Sequence, residues 1–446
     1  MKTFRIFSLL AAVLLLAGTG AMARDNRKSL AKYTIGKQEM LDMFLRYVAV
    51  ESGSQETPDG SYPMTEGQKE MGRLLMQDAE KAGAKVVMTE WGYVYVDIPS
   101  NIKKEVPTLG ISCHLDYTPE APGSGIRPTV ITYMGGDIRL ADGSVISPDQ
   151  PDGADLPHLI GKTLIHTDGT TLLGGDDKNG CTIAMALLKT LMNPKIRHGR
   201  VQFAFCPNED IGMAAEKIDT TLFNPDILYD VDGAGGREIA ASNFTAKGFT
   251  VRFIGHDAHP SEAKRQKYGD ALAAAATYIA AVPVRYRPEN TEGDEGYIHH
   301  WNLVQDGFDC EVTSRIRYFD QDEGALFDKL IRESLEKVRS DFPNVGIDIL
   351  YDGLQYENVA YSMHPASGEM LKQAAARCGL DISFTAERAG TTAAMFAAKG
   401  LRGGMSLFSG QHNCHKVHEY SCLEEMMDAY TLLLYAVDEV TGLTVR

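Results

Sequence analysis

Thr108-Leu109-Gly110-Ile111-Ser112-Cys113-His114-Leu115-Asp116 opens as a short apolar strand and ends on an imidazole and a carboxylate. The same pattern returns downstream. Val201–Cys206 reads as a strand and is followed by Pro207-Asn208-Glu209-Asp210. Ile227–Val231 runs directly into Asp232, and Met405–Phe408 leads to a loop carrying His415. Leu173-Gly174-Gly175-Asp176-Asp177-Lys178 is a turn placed before the helical run Cys181–Met192. Strands alternating with helices predict an α/β domain with a mostly parallel, mixed sheet between helical layers. In open sheets of that kind ligands bind beyond the carboxyl ends of the strands. Five separate segments would then deliver His, Asp or Glu to one rim.

Outward from these segments the chain divides in two. On the N-terminal side, residues 37–50 form an amphipathic helix with Met40, Leu41, Phe44, Leu45 and Val48 on one stripe. A second helix, Thr65 to Ala82, stops at Gly83, and strand-like runs follow at Lys85–Thr89 and Tyr93–Ile98. Tyr117 to Thr171 is rich in Gly, Pro and Asp, with little periodicity, and reads as elaborated loops with short hairpins. Near residue 243 the texture changes. Strands at Phe249–Ile254, Cys310–Phe319 and Gly346–Tyr351 alternate with helices at Gly269–Ala281 and Phe327–Asp341. This predicts an inserted small α+β lid over 243–357, with an antiparallel sheet and two helices. Residues 24–242 and 358–446 make up the catalytic α/β domain, the latter through helices at Ala366–Cys378, Thr392–Lys399 and from Leu423.

The first 23 residues read differently. Lys2 and Arg5 precede an apolar run from Ile6 to Ala17, and Ala21-Met22-Ala23 resembles a small-x-small cleavage site. The pattern predicts a signal peptide at 1–23, and hence an exported protein, periplasmic or secreted. The formal charge is −16 and becomes −18 once Lys2 and Arg5 are removed. Such acidity argues against nucleic acid and, after cleavage, against a membrane as partner. Seven scattered cysteines without a CxxC pair are not a disulfide framework. Most of them sit in apolar runs and read as small buried hydrophobes.

A His-x-Asp pair, a Glu-Asp pair or an Asp-Asp turn is each commonplace. Each has an ordinary structural use as a surface hydrogen bond, a solvated loop or a helix cap. Brought together at strand ends they would repel one another, and divalent cations would relieve that repulsion. A mixed nitrogen and oxygen set without thiolate suits zinc, and manganese or cobalt could also occupy it. Five ligands for two ions leave coordination positions open for water and substrate.

The segments Ser112 to Asp116, Leu173 to Lys178, Pro207 to Asp210, Asp230-Val231-Asp232-Gly233 and His415-Lys416-Val417-His418-Glu419 resemble the metal-site motifs of the two-zinc aminoacylase/carboxypeptidase-type metallopeptidases. Within that group the chain is similar to peptidase T. The distinguishing stretches are Gly135-Gly136-Asp137-Ile138 and Gly161-Lys162-Thr163-Leu164-Ile165-His166-Thr167-Asp168-Gly169. The resemblance implies two zinc ions. Asp176 would bridge them, with His114 and Asp232 completing one site and Asp210 and His415 the other. It implies Asp116 as the carboxylate behind His114, Glu209 as general base and a cis bond between Asp176 and Asp177. It further implies His259 as a lid histidine for the oxyanion, with His256 an idle neighbour, and Arg317 and Arg388 as substrate-binding cations. The activity implied is removal of the N-terminal residue from tripeptides. The partners implied are small peptides, with room for a homodimer.

The chain departs from the peptidase T pattern at three places. Asp210 stands where a second glutamate is usual. Ala389-Gly390-Thr391-Thr392-Ala393 replaces Gly-Gly-Thr-Asp-Gly, and the N-terminal segment sits oddly with a family commonly found in the cytoplasm. The rivals are a related dipeptidase, carboxypeptidase or N-acyl amino acid amidohydrolase, and a non-catalytic peptide-binding protein. A binder has no use for the base at Glu209.

Overall fold

The computed structural model describes residue 30, residues 32–57, residue 62 and residues 65–444. The segment 1–23 therefore lies outside the described residues. Helices α1 (Lys37–Val48) and α2 (Glu66–Lys81) lead into strands β1 (Val86–Met88), β2 (Val94–Ile98) and β3 (Leu109–His114). The Gly/Pro-rich stretch holds the short strands β4 (Thr129–Thr132), β5 (Ile138–Arg139), β6 (Val145–Ile146) and β7 (Thr163–His166). Then come α3 (Gly175–Leu191), β8 (Val201–Cys206), β9 (Ile227–Ala234) and β10 (Glu238–Asn243). Next are β11 (Thr245–Ile254), α4 (Ala271–Ala281), β12 (Tyr297–Asp306), β13 (Asp309–Tyr318), α5 (Gln321–Asp341) and β14 (Gly346–Tyr356). The chain closes with α6 (Ser367–Cys378), β15 (Ser383–Glu387), α7 (Thr392–Ala398), β16 (Gly404–His412), β17 (Tyr420–Cys422) and α8 (Leu423–Val440).

The large sheet runs β1-β2-β8-β3-β9-β16-β17-β7-β4, with β10 and β15 attached beside β16. At its centre β8, β3, β9 and β16 are parallel neighbours. Their carboxyl ends therefore share one edge, which is the physical reason that His114, Glu209 and Asp232 come together. The layers follow from period-two burial. In β8, Val201, Phe203 and Phe205 face the core under α1, α3 and α8, while Ala204 and Cys206 face the opposite core with Ala393 and Phe396 of α7. Strand β2 repeats this, with Val94 and Val96 on one side and Tyr93 and Tyr95 on the other. Each valine or phenylalanine among these, once buried, stabilises the fold by about 1.5–3 kcal/mol. A mixed, mostly parallel sheet between helical layers is thus observed as expected.

The second sheet is fully antiparallel, in the order β12-β13-β11-β14. Phe249, Val251 and Phe253 of β11 pack with Tyr278 of α4 and Phe327, Ile331 and Leu335 of α5 in a core of their own. Strand β12 was not legible beforehand, because its polar half is largely exposed and only Ile298 is deeply buried. Helix α5 starts at Gln321, ahead of its apolar stripe, because Asp320 Oδ1 accepts the Glu323 N–H at 2.8 Å and caps a charged first turn.

Helix α3 also begins earlier than its apolar pattern, at Gly175. Asp176 and Asp177 nevertheless keep non-helical backbone angles and are joined by a cis bond. Asp177 Oδ1 accepts the Gly180 N–H at 2.9 Å, so regular helix starts only beyond it. Among the described residues no helix is long and apolar enough to cross a membrane.

Candidate metal centre

His114 is the last residue of β3 and is 1% exposed. Its Nε2 lies 2.8 Å from Asp176 Oδ1 and 3.5 Å from Asp232 Oδ1. The other oxygen of Asp176, Oδ2, is 3.4 Å from His415 Nε2, and that nitrogen is 2.9 Å from Asp210 Oδ1. Asp176 thus stands between two imidazoles, offering one carboxylate oxygen to each. Donor atoms of His114, Asp176 and Asp210 lie within 4.8 Å of one another, as do those of His114, Glu209 and Asp232. A cleft of about 690 Å³ opens over Asp176, Glu209, Asp210, Asp232 and His415. A neighbouring cavity of about 550 Å³ shares Ala234, Gly235, Glu238, Gln411 and Cys414 with it.

Each donor is fixed from behind. Asp116, fully buried, places Oδ1 3.5 Å from His114 Nδ1 and accepts the backbone N–H groups of Glu209 and Asp210 at 3.1 and 3.2 Å. One carboxylate therefore stands behind an imidazole and ties down the loop after β8. That loop turns on Asn208, which adopts a positive φ of 61° and exchanges two hydrogen bonds with Gln68 of α2. His415 Nδ1 has its own carboxylate, Glu120 Oε2, at 3.1 Å. Glu419, buried, accepts the N–H groups of Leu173, Gly174 and Asp176 at 2.7, 2.7 and 3.0 Å. The glycine turn before Asp176 is thereby held in place. Asp177 Oδ2 accepts the His114 N–H at 3.0 Å. Thr392 Oγ1 donates to Glu209 Oε1 at 2.8 Å.

The electrostatics fit a divalent site. Burial, then Asp176, pushes Asp210 up to about 7. Burial and carboxylate neighbours hold Asp177 and Asp232 well above the usual carboxylate range. Burial also raises Glu209 and pushes Glu419 up to about 7. For Asp176 burial acts upward too, but the imidazoles of His114 and His415 outweigh it and hold that carboxyl low. Hydrogen bonds to Asp176 and Asp210 push His415 up to about 11. These crowded carboxylates hold protons that cations would displace. Asp210 Oδ2 and His114 Nδ1 are buried without a hydrogen-bond partner. An acceptor left bare in that position suits a metal ligand, since a buried unpaired carboxylate oxygen is otherwise costly.

The other expected residues are placed differently. His259 is exposed, and its Nδ1 pairs with Ser261 Oγ at 2.7 Å in its own loop. His256 likewise pairs locally, with the Gln266 carbonyl at 3.0 Å. Arg317 Nη1 donates to the carbonyls of Ile316 and Lys247 at 3.0 and 3.4 Å. Neither His259 nor Arg317 lines the cleft. Arg388 does line it, yet its guanidinium donates to the carbonyls of Gly293 and Glu295 at 2.9 and 2.8 Å and to Thr291 Oγ1 at 2.9 Å. It also lies over the rings of Phe244 and Tyr297.

Glu120, Glu419, Gln68 and Thr392 went unread as site residues in the sequence. Glu419 lies inside a quoted motif, so its nearness to His415 was the available signal. Glu120 and Gln68 carry no such signal, because their contacts cross long sequence separations.

Residues 166–439 match the peptidase family M20/M25/M40. Peptidase T of Shouchella clausii is 35% identical over 406 residues, covering 89% of this chain and 97% of that protein. Peptidase T of Listeria monocytogenes is 34% identical with the same coverage. Among solved structures, aminopeptidase PepT of Bacillus cereus superposes with a TM-score of 0.69 at 20% identity, over 91% of this chain and 99% of that one. A dinuclear metal-binding peptidase of the M20 family from Bacillus subtilis gives 0.62 at 12% identity, again over 91% and 99%.

One expectation is corrected by this likeness. Export, inferred from residues 1–23, does not stand, because the chain aligns with peptidase T proteins, a family of cytoplasmic enzymes. The physical reason is that the motif is compositional. A twelve-residue apolar run is too short to span a membrane and is of a length shared by buried helices and leaders.

Proposed function

The chain belongs to the M20/M25/M40 family of peptidases, and on that premise we propose that it removes the N-terminal residue from tripeptides with two zinc ions bound at the rim. The observation that carries this reading is the placement of Asp176, Glu209, Asp210, Asp232 and His415 around one cleft, with His114 against Asp176. His114 and Asp232 would hold one ion, Asp210 and His415 the other, and Asp176 both. Bound divalent ions supply a water of lowered pKa and polarise the scissile carbonyl.

The protein's own part is proton handling and orientation. Glu209 takes the proton of the attacking water and later gives it to the leaving amine. Burial raises the Glu209 pKa, which suits a group that must both take and give a proton near neutrality. Asp116 keeps the His114 ring and the Glu209 backbone in fixed relation. The adjoining cavity offers room for the N-terminal side chain. Arg388 stands on the cleft wall, where a guanidinium could exchange its carbonyl partners for the substrate carboxylate. His259 and Arg317 contribute only if the antiparallel unit closes over the substrate, His259 then donating to the developing oxyanion. Tripeptide specificity is supported by the peptidase T relatives, which align over nearly their whole length.

The test is metal analysis joined to a substrate panel. The purified protein, loaded with zinc, should carry two ions per chain and hydrolyse trialanine. Efficient cleavage of dialanine or acetyl-alanine with poor cleavage of trialanine would overturn the tripeptide reading.

A further inference from the structure

Glu209 has two competing uses in this geometry. It is the carboxylate placed to move the proton, yet its donor oxygen also lies within 4.8 Å of ligand atoms on His114 and Asp232. A carboxylate at that distance can swing onto a cation and become a ligand. Once there, the cation would draw on its electron density and leave it a much weaker base.

What opposes the swing is Thr392. Its Oγ1 donates to Glu209 Oε1 at 2.8 Å, and Thr392 is 2% exposed. The hydroxyl is not needed by its helix, because Thr391 Oγ1 already accepts the Ala394 N–H at 3.1 Å as the cap of α7. The support under it is stiff. Ala393, Ala394 and Phe396 of α7 are buried against Phe223 and Leu401, and a β-branched side chain has little freedom at χ1. The Glu209 backbone is fixed as well, through its N–H to Asp116 Oδ1. Among the described residues Glu209 Oε2 has no hydrogen-bond partner. One oxygen is tied and the other is left over in a residue that lines the cleft.

We propose that Thr392 is a positioning residue that holds Glu209 off the ions, leaving one carboxylate oxygen free for the proton. This rests on reading Glu209 as the proton-transferring group. In this chain Thr392 stands where the peptidase T pattern has an aspartate. A neutral donor ties the base without adding a further charge to the rim.

The experiment compares Thr392→Val and Thr392→Ser with the parent, measuring zinc affinity, kcat and KM for trialanine. Valine keeps the shape and removes the donor. It should bind zinc more tightly, by about threefold or more, because Glu209 joins the ligands. It should also lose about ten- to a hundredfold in kcat, the range of loss when a group supporting a metal site is removed, with KM little changed. Serine should restore both. In a Glu209→Gln background the valine change should leave zinc affinity unmoved, since a neutral amide is a poor ligand. Parental kcat in Thr392→Val, or lower kcat with unchanged or weaker zinc binding, overturns the proposal. If Glu209→Gln itself turned over at the parental rate, the function reading would fail instead.

Discussion

The rim of the large sheet and the antiparallel unit both carry histidines and arginines of catalytic type, but they hold them differently. At the rim the loops that carry the donors are gripped from behind by partners distant in sequence. Asp116 ties down the Glu209 loop, Glu120 faces His415, and Glu419 clamps the turn before Asp176. On the antiparallel unit His259 is held by Ser261, and Arg317 by carbonyls of its own strand and of the neighbouring β11. Long-range support fixes a side chain relative to the whole site. Support from within the antiparallel unit fixes it only relative to that unit, so its use depends on where the unit goes.

Four experiments sharpen or break this contrast. Glu209→Gln should lose about a thousandfold in kcat, within the range of a general base, and keep its zinc by elemental analysis. His259→Ala should lose about a hundredfold in kcat, as for one oxyanion donor. An unchanged rate in that variant would mean that the unit never delivers the side chain. Glu419→Ala leaves three buried N–H groups without an acceptor, and zinc affinity measured by titration should fall about ten- to a hundredfold.

The smallest effect should come from His412, whose ring nitrogens meet Asp155 Oδ2 at 2.9 Å and Glu425 Oε2 at 3.0 Å. Burial alone would lower its pKa, but the two carboxylates outweigh burial and raise it. The charged form then favours the folded state. That stability is fully present below the unfolded histidine pKa of about 6.5 and is lost as pH rises through the folded value. His412→Gln should be less stable than the parent at pH 6 by about 1.5–3 kcal/mol, read by denaturant unfolding. The gap should narrow with increasing pH, and a gap constant from pH 6 to pH 10 would remove the charged pair from the account.

Much of the rim was legible because strand ends are legible. An apolar run stopping at His114 or Asp232 states both the element and the position of the ligand, and parallel neighbours bring those ends to one edge. Strands β10 and β15 were missed, since short runs such as Ala240-Ala241-Ser242 have no periodicity to read. They nonetheless build a wall of the cleft through Ala240, Thr385 and Glu387. The supporting groups were missed for another reason. Glu120 meets His415 across 295 residues of chain, and no local pattern encodes such a meeting. Thr392 was visible only as a departure, and its hydrogen bond to Glu209 gives that departure a physical meaning.

The spread of the ligands along the chain also bears on how the protein comes into being. His114 and His415 meet around Asp176 only after the last parallel strand, β16, has docked beside β9. Contacts so far apart in sequence form late, because loop closure must be paid before they give any return. Any partly folded chain without β16 in place lacks His415 from the set of donors. A chain stalled before residue 415 would keep His114, Asp176 and Asp232 for one ion and lack His415 for the other.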